Sequence, residues 1–587
     1  MLANIILDIS NISEFKEICI MLEINSDRKK QTTLSYKLYF ALLFLIQSGF
    51  ALANNSSEQH SVKGIDEYSV LKKNNATSLI EAAVESDAMV DHSEFDELKG
   101  PFEDGPAVTK ACLGCHNKAG HAFMKNKHWT WKYTDPDTKQ QLGKSVLINN
   151  FCTNARGNEG MCAQCHAGYN MTDSEYDFTK QENMDCLVCH ESTGKYYKTP
   201  TTSGSAACTT MFADKDPINW SKSAQSVAMP ARENCGSCHF FGGGGDNVKH
   251  GDLSSALIAP TKDVDVHMAV EGNDFSCTQC HVGEKHQWSG SRYQGVPVKD
   301  KHKSKPGMRN ETASCASCHG AQPHPLSLVG LKLNDHTQKV ACETCHIPEF
   351  AKGGVATKID WDWRTAGKTR DGEGYKDSNY TQSNGEHRYT YKSIKGDFKY
   401  DENVKPVYLW SNGKSHYTTI DTKFDPTKPV IINSVEGTVA GEDSRITPFK
   451  RMHTIQPYDK GNNTLVYMHL WGDDSDSFWG NYDFGRAIEH GMKQFDIPYS
   501  GEFGFIDTYS YWPINHMVAP EEGALKCDSC HSKEGRLKGI KGVYMPGSGE
   551  YKWMDIIGLL AIFATLAGVI GHGLLRFFMN KRRKAHD

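Results

Sequence analysis

The sequence predicts a mainly α-helical fold with much irregular loop, some short strands between residues 350 and 520, and one C-terminal membrane-spanning helix. Three observations predict it. Sixteen of the 19 cysteines fall into eight copies of Cys-x-x-Cys-His. Seven of those copies lie between Cys112 and His346, about 34 residues apiece. The stretch Ile556–Leu575, "IIGLLAIFATLAGVIGHGLL", is long and apolar enough to cross a bilayer as a helix.

The eight motifs use Cys112 and Cys115, Cys162 and Cys165, Cys186 and Cys189, Cys235 and Cys238, Cys277 and Cys280, Cys315 and Cys318, Cys342 and Cys345, and Cys527 and Cys530. Each reads as a site for one covalently bound haem c. Two thiols at this spacing form thioethers with the haem vinyls, and the next histidine lies under the iron as axial ligand. The expected proximal ligands are His116, His166, His190, His239, His281, His319, His346 and His531. Neither a zinc site nor a disulfide framework requires a histidine after every second cysteine. About 34 residues per motif cannot build an ordinary apolar core, so eight packed haems are expected to be the core.

Covalent haem attachment of this kind implies export. Residues 1–53 read as an N-terminal extension and signal peptide: a basic start at Arg28, an apolar run "YFALLFLI", and a small-x-small end with cleavage after Ala53. Met21 is an alternative start, in which case Cys19 is absent from the protein. Residues 54–105 read as a polar linker, 106–350 as a seven-haem region, 351–550 as an aromatic-rich region with the eighth haem, and 551–587 as a membrane anchor with a basic tail. "KRRK" at Lys581–Lys584 places that tail in the cytoplasm by the positive-inside rule. The haem region is therefore expected in the periplasm, held to the inner membrane. His572 lies inside the span and reads as a tolerated polar residue, with a contact to a partner helix or a b-haem as the alternative. The net charge of −6 is mild and evenly spread, and no nucleic-acid partner is expected.

Between His346 and Cys527 the chain is rich in aromatics, and "KPVIINSV" and "TLVYMHLWG" alternate like short strands. This region is expected to close onto the haem array. The acidic "GDDSDS" (Gly472–Ser477) reads as a solvated loop rather than a calcium site, since the EF-hand spacing is absent.

A haem that only passes electrons takes a second strong ligand, whereas one that does chemistry needs an exchangeable side. By position, the best distal candidates are His128, His250, His267, His286 and His336, followed by His302, His324, His453, His490 and His516. His60 and His92 fall in the linker. The stretch "HFFGGGGDNVKHGDL" delivers Lys249 and His250 side by side after four glycines. Adjacent side chains diverge, so they reach two irons and not one. Glycine allows unusual dihedrals and close backbone approach. A lysine must be neutral to bind iron, which costs roughly 4–5 kcal/mol at pH 7 from a reference pKa near 10.4. Burial and the iron's charge offset this. The alternative for Lys249 is a surface lysine bonded to a haem propionate.

The stretches "FDELKGPFEDGPAVTKACLGCH", "HWTW", "NNFC", "CAQCHAGY", "DCLVCHESTG", "NCGSCHFFGGGGDNVKHGDL" and "CETCHIPEFAKGG" resemble the octahaem tetrathionate reductase family of periplasmic cytochromes, from about Phe95 to His531. The resemblance implies seven bis-His haems and one catalytic haem, the second in sequence, with lysine as its distal ligand. It also implies reduction of tetrathionate, nitrite or hydroxylamine. Carried onto this chain, the catalytic haem hangs on Cys162, Cys165 and His166, the lysine is Lys249, and Asp246 lies three residues before it. The C-terminal anchor departs from a purely soluble form and points to a quinol-linked donor in the membrane, such as a b-type cytochrome. Two readings stay open for Cys152 and Cys208: a disulfide, or a free thiol at Cys152 facing the catalytic haem.

Three functions compete. The first is a reductase of small inorganic sulfur or nitrogen oxyanions, with basic side chains around one lysine-ligated iron supplying charge and protons. The second is a hydroxylamine-oxidising octahaem enzyme, which needs a tyrosine bonded to its catalytic haem. The third is a pure electron carrier with all haems six-coordinate. The axial set at each iron separates enzyme from carrier.

Overall fold

The computed structural model describes residues 90–148, 153–198, 217–294, 314–472, 474–549 and 551–583. The signal peptide, most of the linker, and Cys152, Cys208 and His302 lie outside the described residues.

The described residues between 90 and 346 form short helices joined by loops, with a small ladder pairing Lys132–Thr134 with Gln141–Gly143. Most motif helices span little more than the motif. In α1 (Gly105–Cys115) the Asp104 carboxylate accepts from the Ala107 N–H and a proline fills the first turn, two features that start a helix. It ends on the first motif, at His116. Several further helices also end on iron-ligand candidates, among them α2 (Arg232–His239) on the fourth motif and α3 (Leu328–His336) on a distal candidate.

Downstream the chain builds a nine-stranded sheet. Its strands are β1 (Thr357–Asp362), β2 (Lys376–Asp377), β3 (Tyr391–Lys392), β4 (Gly396–Asp401), β5 (Val407–Ser411), β6 (Val430–Ile431), β7 (Arg445–Asp459), β8 (Thr464–Leu465) and β9 (Phe503–Pro513). The order is β6-β9-β7-β1-β4-β3-β2, with β5 and β8 also paired to β7. The mainly α expectation is therefore corrected. The sheet is anchored by β7, 15 residues long, and β9, 11 residues long, which run antiparallel from Phe449↔Pro513 to Asp459↔Phe503. The strand β7 lacks a strand signature in sequence because it carries Pro448 and Pro457 and is covered on both faces for much of its length, so its residues do not alternate. Trp361, Trp363, Met452, Leu465, Met468, Phe478 and Ile488 form the largest apolar core; Phe478 lies just before α4 (Phe484–Lys493) and Ile488 within it.

The sequence boundary at 350/351 is not a gap in packing. Phe240, Leu257, Ile347, Phe350, Ile514 and Met517 form one cluster across it. Asn154 and Asn158 donate to the Met468 carbonyl (3.1 and 2.9 Å) and so tie the segment before the second motif to the sheet region. The last helix, α5 (Lys552–Arg583), is long and apolar enough to cross a membrane, and its large apolar side chains are exposed along its length.

Candidate haem-binding array and active site

Two imidazole nitrogens on opposite sides of one iron, each about 2.0–2.1 Å away, put their ring centroids roughly 6.3 Å apart. Seven of the eight motif histidines face a second histidine at this spacing. The pairs are His116 with His92 (6.2 Å), His190 with His286 (6.5 Å), His239 with His128 (6.0 Å) and His281 with His516 (6.2 Å). They continue with His319 and His267 (5.9 Å), His346 and His324 (6.3 Å), and His531 and His336 (6.2 Å).

A second observation agrees. Nδ1 of His190, His281, His336 and His531 bonds to the backbone carbonyls of Ala228 (2.9 Å), Ser289 (3.0 Å), Lys332 (2.7 Å) and Pro546 (3.2 Å). Nδ1 of His128 and His324 bonds to Oδ1 of Asn126 (2.9 Å) and Asn334 (3.0 Å), and Nδ1 of His516 to Asp252 (3.0 Å). A carbonyl only accepts, so Nδ1 carries the proton and Nε2 keeps the lone pair a metal needs. The residues therefore fit c-type haem: paired thiols, a histidine after each pair, and opposed rings in the correct tautomer.

His166 stands apart. It is fully buried, and its ring contacts among the described residues are Trp129 (5.4 Å, stacked), Trp131 (5.2 Å), Tyr176 (5.3 Å) and Phe178 (5.9 Å), none of them a histidine. Its Nε2 donates to the Trp129 carbonyl (2.7 Å), and Nδ1 is buried without a partner. The stretch "HWTW" thus divides its work: His128 faces the fourth motif histidine, while Trp129 and Trp131 wall the second.

The glycine-rich loop is pinned from the sheet. Lys249 is 1% exposed, with Nζ 5.5 Å from the Trp512 ring centre. Lys450 on β7, fully buried, donates to the Val248 carbonyl (2.8 Å) and to Thr357 Oγ1 (2.6 Å). Thr357 in turn donates to the Asn247 carbonyl (2.6 Å). Burial, reinforced by the charge of Lys249, holds the Lys450 ammonium well below the usual lysine range. Glycine is required at two positions. Gly243 has φ +93°, and a Cβ there would sit 3.0 Å from Val248 and 3.3 Å from Lys249 Cβ. Gly251 has φ +92°, and a Cβ there would meet Phe350 and Lys450 below 3.0 Å.

Other cations converge nearby. Arg292 lies 5.8 Å from the Trp512 ring and acts electrostatically on Cys165. Lys144 lies 5.0 Å from the Trp131 ring, beside Cys162 and Cys165, and burial pushes its pKa down. Sequence reading singled out neither residue, because no local motif marks them.

Three expected site residues are engaged elsewhere. Asp246 accepts from the Ser255 N–H (3.0 Å) and the Ser255 hydroxyl, so its carboxylate holds the loop's own turn. Burial pushes its pKa up. His250 packs edge-on against Trp512 (5.4 Å) and faces no motif histidine at iron-spanning distance. His453 has both ring nitrogens bonded to carboxylates, Asp360 and Asp507 at 2.7 Å each, and none is left for iron. Conversely, His92, from the polar segment before the first motif, faces His116, and the weaker candidates His324 and His516 face His346 and His281.

His469, Asp474 and His490 also cluster. The two imidazoles stack at 4.2 Å and 16°, so their in-plane lone pairs run side by side and do not converge. Each ring already bonds an aspartate, Asp474 (2.7 Å) or Asp476 (3.2 Å). This arrangement is two stacked His–Asp pairs and not a set of metal ligands.

The motifs have an order in space. Thiols of Cys112 and Cys186 lie near each other, as do those of Cys165 and Cys238, Cys235 and Cys277, and Cys315 and Cys342. Cys189 lies near Cys235, and Cys345 near Cys527 and Cys530. The Ala519 N–H donates to the His346 carbonyl (2.8 Å), which brings the His516 segment to the seventh motif. Motifs one, three, four and five thus follow one another toward six, seven and eight, and the second branches from the fourth.

Comparisons with known proteins agree with this geometry. The family model described as bacterial cytochrome c matches residues 358–534, and the model for cytochrome c554 and c-prime matches residues 276–347. A protein of Archaeoglobus fulgidus described as uncharacterized is 24% identical over 34% of this chain and 80% of its own. The crystal structure of an octahaem cytochrome c from Shewanella oneidensis is 38% identical, with a TM-score of 0.66 over 77% of this chain and 97% of that one. This chain belongs to the family of multihaem c-type cytochromes that the Shewanella protein represents.

Proposed function

We propose that the chain is a periplasmic oxidoreductase, anchored in the inner membrane by α5. It carries eight covalent c haems and reduces a small sulfur or nitrogen compound of the tetrathionate, nitrite or hydroxylamine class. One observation carries the reading: seven motif histidines face a second histidine, while His166 is walled by aromatics at the end of a branch. Bound haem supplies one-electron transfer and, where its distal ligand can be displaced, a place for substrate.

The protein's own part is electrostatic and positional. Lys249, with its backbone fixed through Lys450 and Thr357, would help hold a haem at the second motif and would be the group that substrate displaces. Arg292 and Lys144 add positive charge, which attracts an anion into the site and stabilises negative charge as electrons arrive. Trp129, Trp131, Tyr176 and Phe178 exclude water on the His166 side, which strengthens those charges. Lys249, once displaced, is an ammonium able to give a proton to the product. The wall of opposed histidine pairs elsewhere keeps other sites closed to substrate. A quinol-linked membrane protein is the donor this arrangement calls for.

The test is Lys249→Ala in the haem-loaded protein. New high-spin ferric absorption equal to one haem, with turnover lost, supports the reading. An unchanged spectrum would falsify Lys249 as a ligand. Steady-state kinetics with tetrathionate, nitrite and hydroxylamine then rank the substrates.

A further inference from the structure

The acceptors that hold the paired histidines are not alike. Four are backbone carbonyls and two are asparagine amides, all of them neutral. The seventh is a carboxylate. Asp252 Oδ2 lies 3.0 Å from His516 Nδ1 and also accepts the backbone N–H groups of Asn515 (2.8 Å) and His516 (3.0 Å). Asp252 is 1% exposed, and its other oxygen is buried without a hydrogen bond. No other paired histidine among the described residues has a carboxylate this close; Asp265 is 4.0 Å from His267 Nδ1 and turns its oxygens to backbone N–H groups.

We propose that Asp252 is a positioning residue that sets the reduction potential of the haem held between His281 and His516, making it the lowest of the seven histidine-paired sites. This rests on the histidine ligation proposed above. A buried carboxylate that accepts the Nδ1 proton pulls it away from the ring and increases electron density on Nε2. A more basic ligand stabilises ferric over ferrous iron. The neutral carbonyls and amides at the third, fourth, seventh and eighth motifs do this less, because they carry no net charge to attract the proton.

Position gives this a purpose. The His281–His516 pair lies between the fourth motif, from which the second branches, and motifs six to eight. A low-potential stage there makes the electron that reaches it a strong reductant for the branch. Asp252 is also three residues from Lys249, on the loop that Lys450 and the Gly251–Phe350 contact hold in place. The same ten residues therefore fix the proposed substrate ligand and the proposed low-potential stage.

The experiment is Asp252→Asn in the haem-loaded protein, read by spectroelectrochemical titration. Asparagine keeps an oxygen for the two backbone N–H groups and removes the charge. One haem should become at least tenfold easier to reduce, a rise of about 59 mV for one electron, with the low-spin spectrum unchanged. Unchanged potentials with intact ligation overturn the role of Asp252 and leave the ligand set standing. If removing His516 (His516→Ala) produces no new high-spin iron, the ligation itself is wrong. Asn334→Asp is the reciprocal variant and serves if Asp252→Asn does not fold. It places a carboxylate behind His324 and should lower one potential by a similar amount; no shift overturns the proposal.

Discussion

The His166 site and the seven histidine pairs are built from one motif and set in different surroundings. At each pair, a second imidazole arrives from elsewhere in the chain at 5.9–6.5 Å. At His166 the neighbours are two tryptophans, a tyrosine and a phenylalanine. Closed ligation suits electron transfer, and aromatic walls with buried cations suit chemistry. On the proposed reading, the attachment motif makes a site redox-active, and what faces the motif histidine decides what the site does.

The largest way to break this contrast is Lys249→Ala set against His336→Ala. Losing Lys249 removes a stabilising cation at the reacting centre and should cut turnover on the order of 10²- to 10³-fold. Reduction of the array by an artificial donor should stay normal. Losing His336 should open a different iron, the one at His531, and slow array reduction instead. Equal effects on both assays would erase the distinction between the two regions.

Glu159 gives a test of stability on the His166 side. It begins the short helix Glu159–Cys162, and burial raises its carboxyl pKa to about 7. The folded state thus prefers the protonated acid. This contribution is fully present below the unfolded value near 4.5 and is lost as pH rises to 7. With about 1.4 kcal/mol per unit, the loss approaches 3 kcal/mol. Glu159→Gln should therefore be more stable than the parent at pH 8 by up to that amount, with no difference at pH 4. Urea unfolding at both values decides it.

A smaller effect is expected from Lys450→Met. It keeps most of the volume but leaves the Val248 carbonyl and Thr357 without their donor, at a cost of about 1–3 kcal/mol. Because Val248 precedes Lys249, the second motif's iron should show a mixed spin state while the seven pairs do not change. A uniform disturbance of all haems would mean that Lys450 serves the fold at large.

The smallest effect should come from truncation before Tyr551. The last motif ends at His531, ahead of α5, and the described apolar side chains of that helix are exposed. The shortened protein should load its haems and reduce substrate as before, with loss of membrane association as the one change. Failure to load haem would show that α5 supports the fold.

Much of this was legible in the chain because the attachment chemistry is local. Each proximal histidine follows its cysteines, and Lys249 is framed by glycines that only a tight turn needs. Distal partners are a tertiary matter. His128 and His286 were accessible through neighbouring aromatics, but His516 meets His281 only after β9 has returned the chain. His92 was hidden by the polar residues around it. Nothing local to His453 shows the two aspartates that occupy it, because they come from the strands on either side of β7, Asp360 on β1 and Asp507 on β9. The sheet was missed for a similar reason, since β7 breaks the two rules by which a strand is recognised: alternation and the absence of proline.

The most direct test of the central claim is the axial set of the oxidised, haem-loaded protein, read by electron paramagnetic resonance and near-infrared magnetic circular dichroism. The account predicts seven haems with paired histidines and one with a nitrogen donor of a different kind opposite its histidine, and Lys249→Ala should abolish only that one signal. Eight identical histidine-paired haems would contradict it and leave an electron carrier in place of an enzyme.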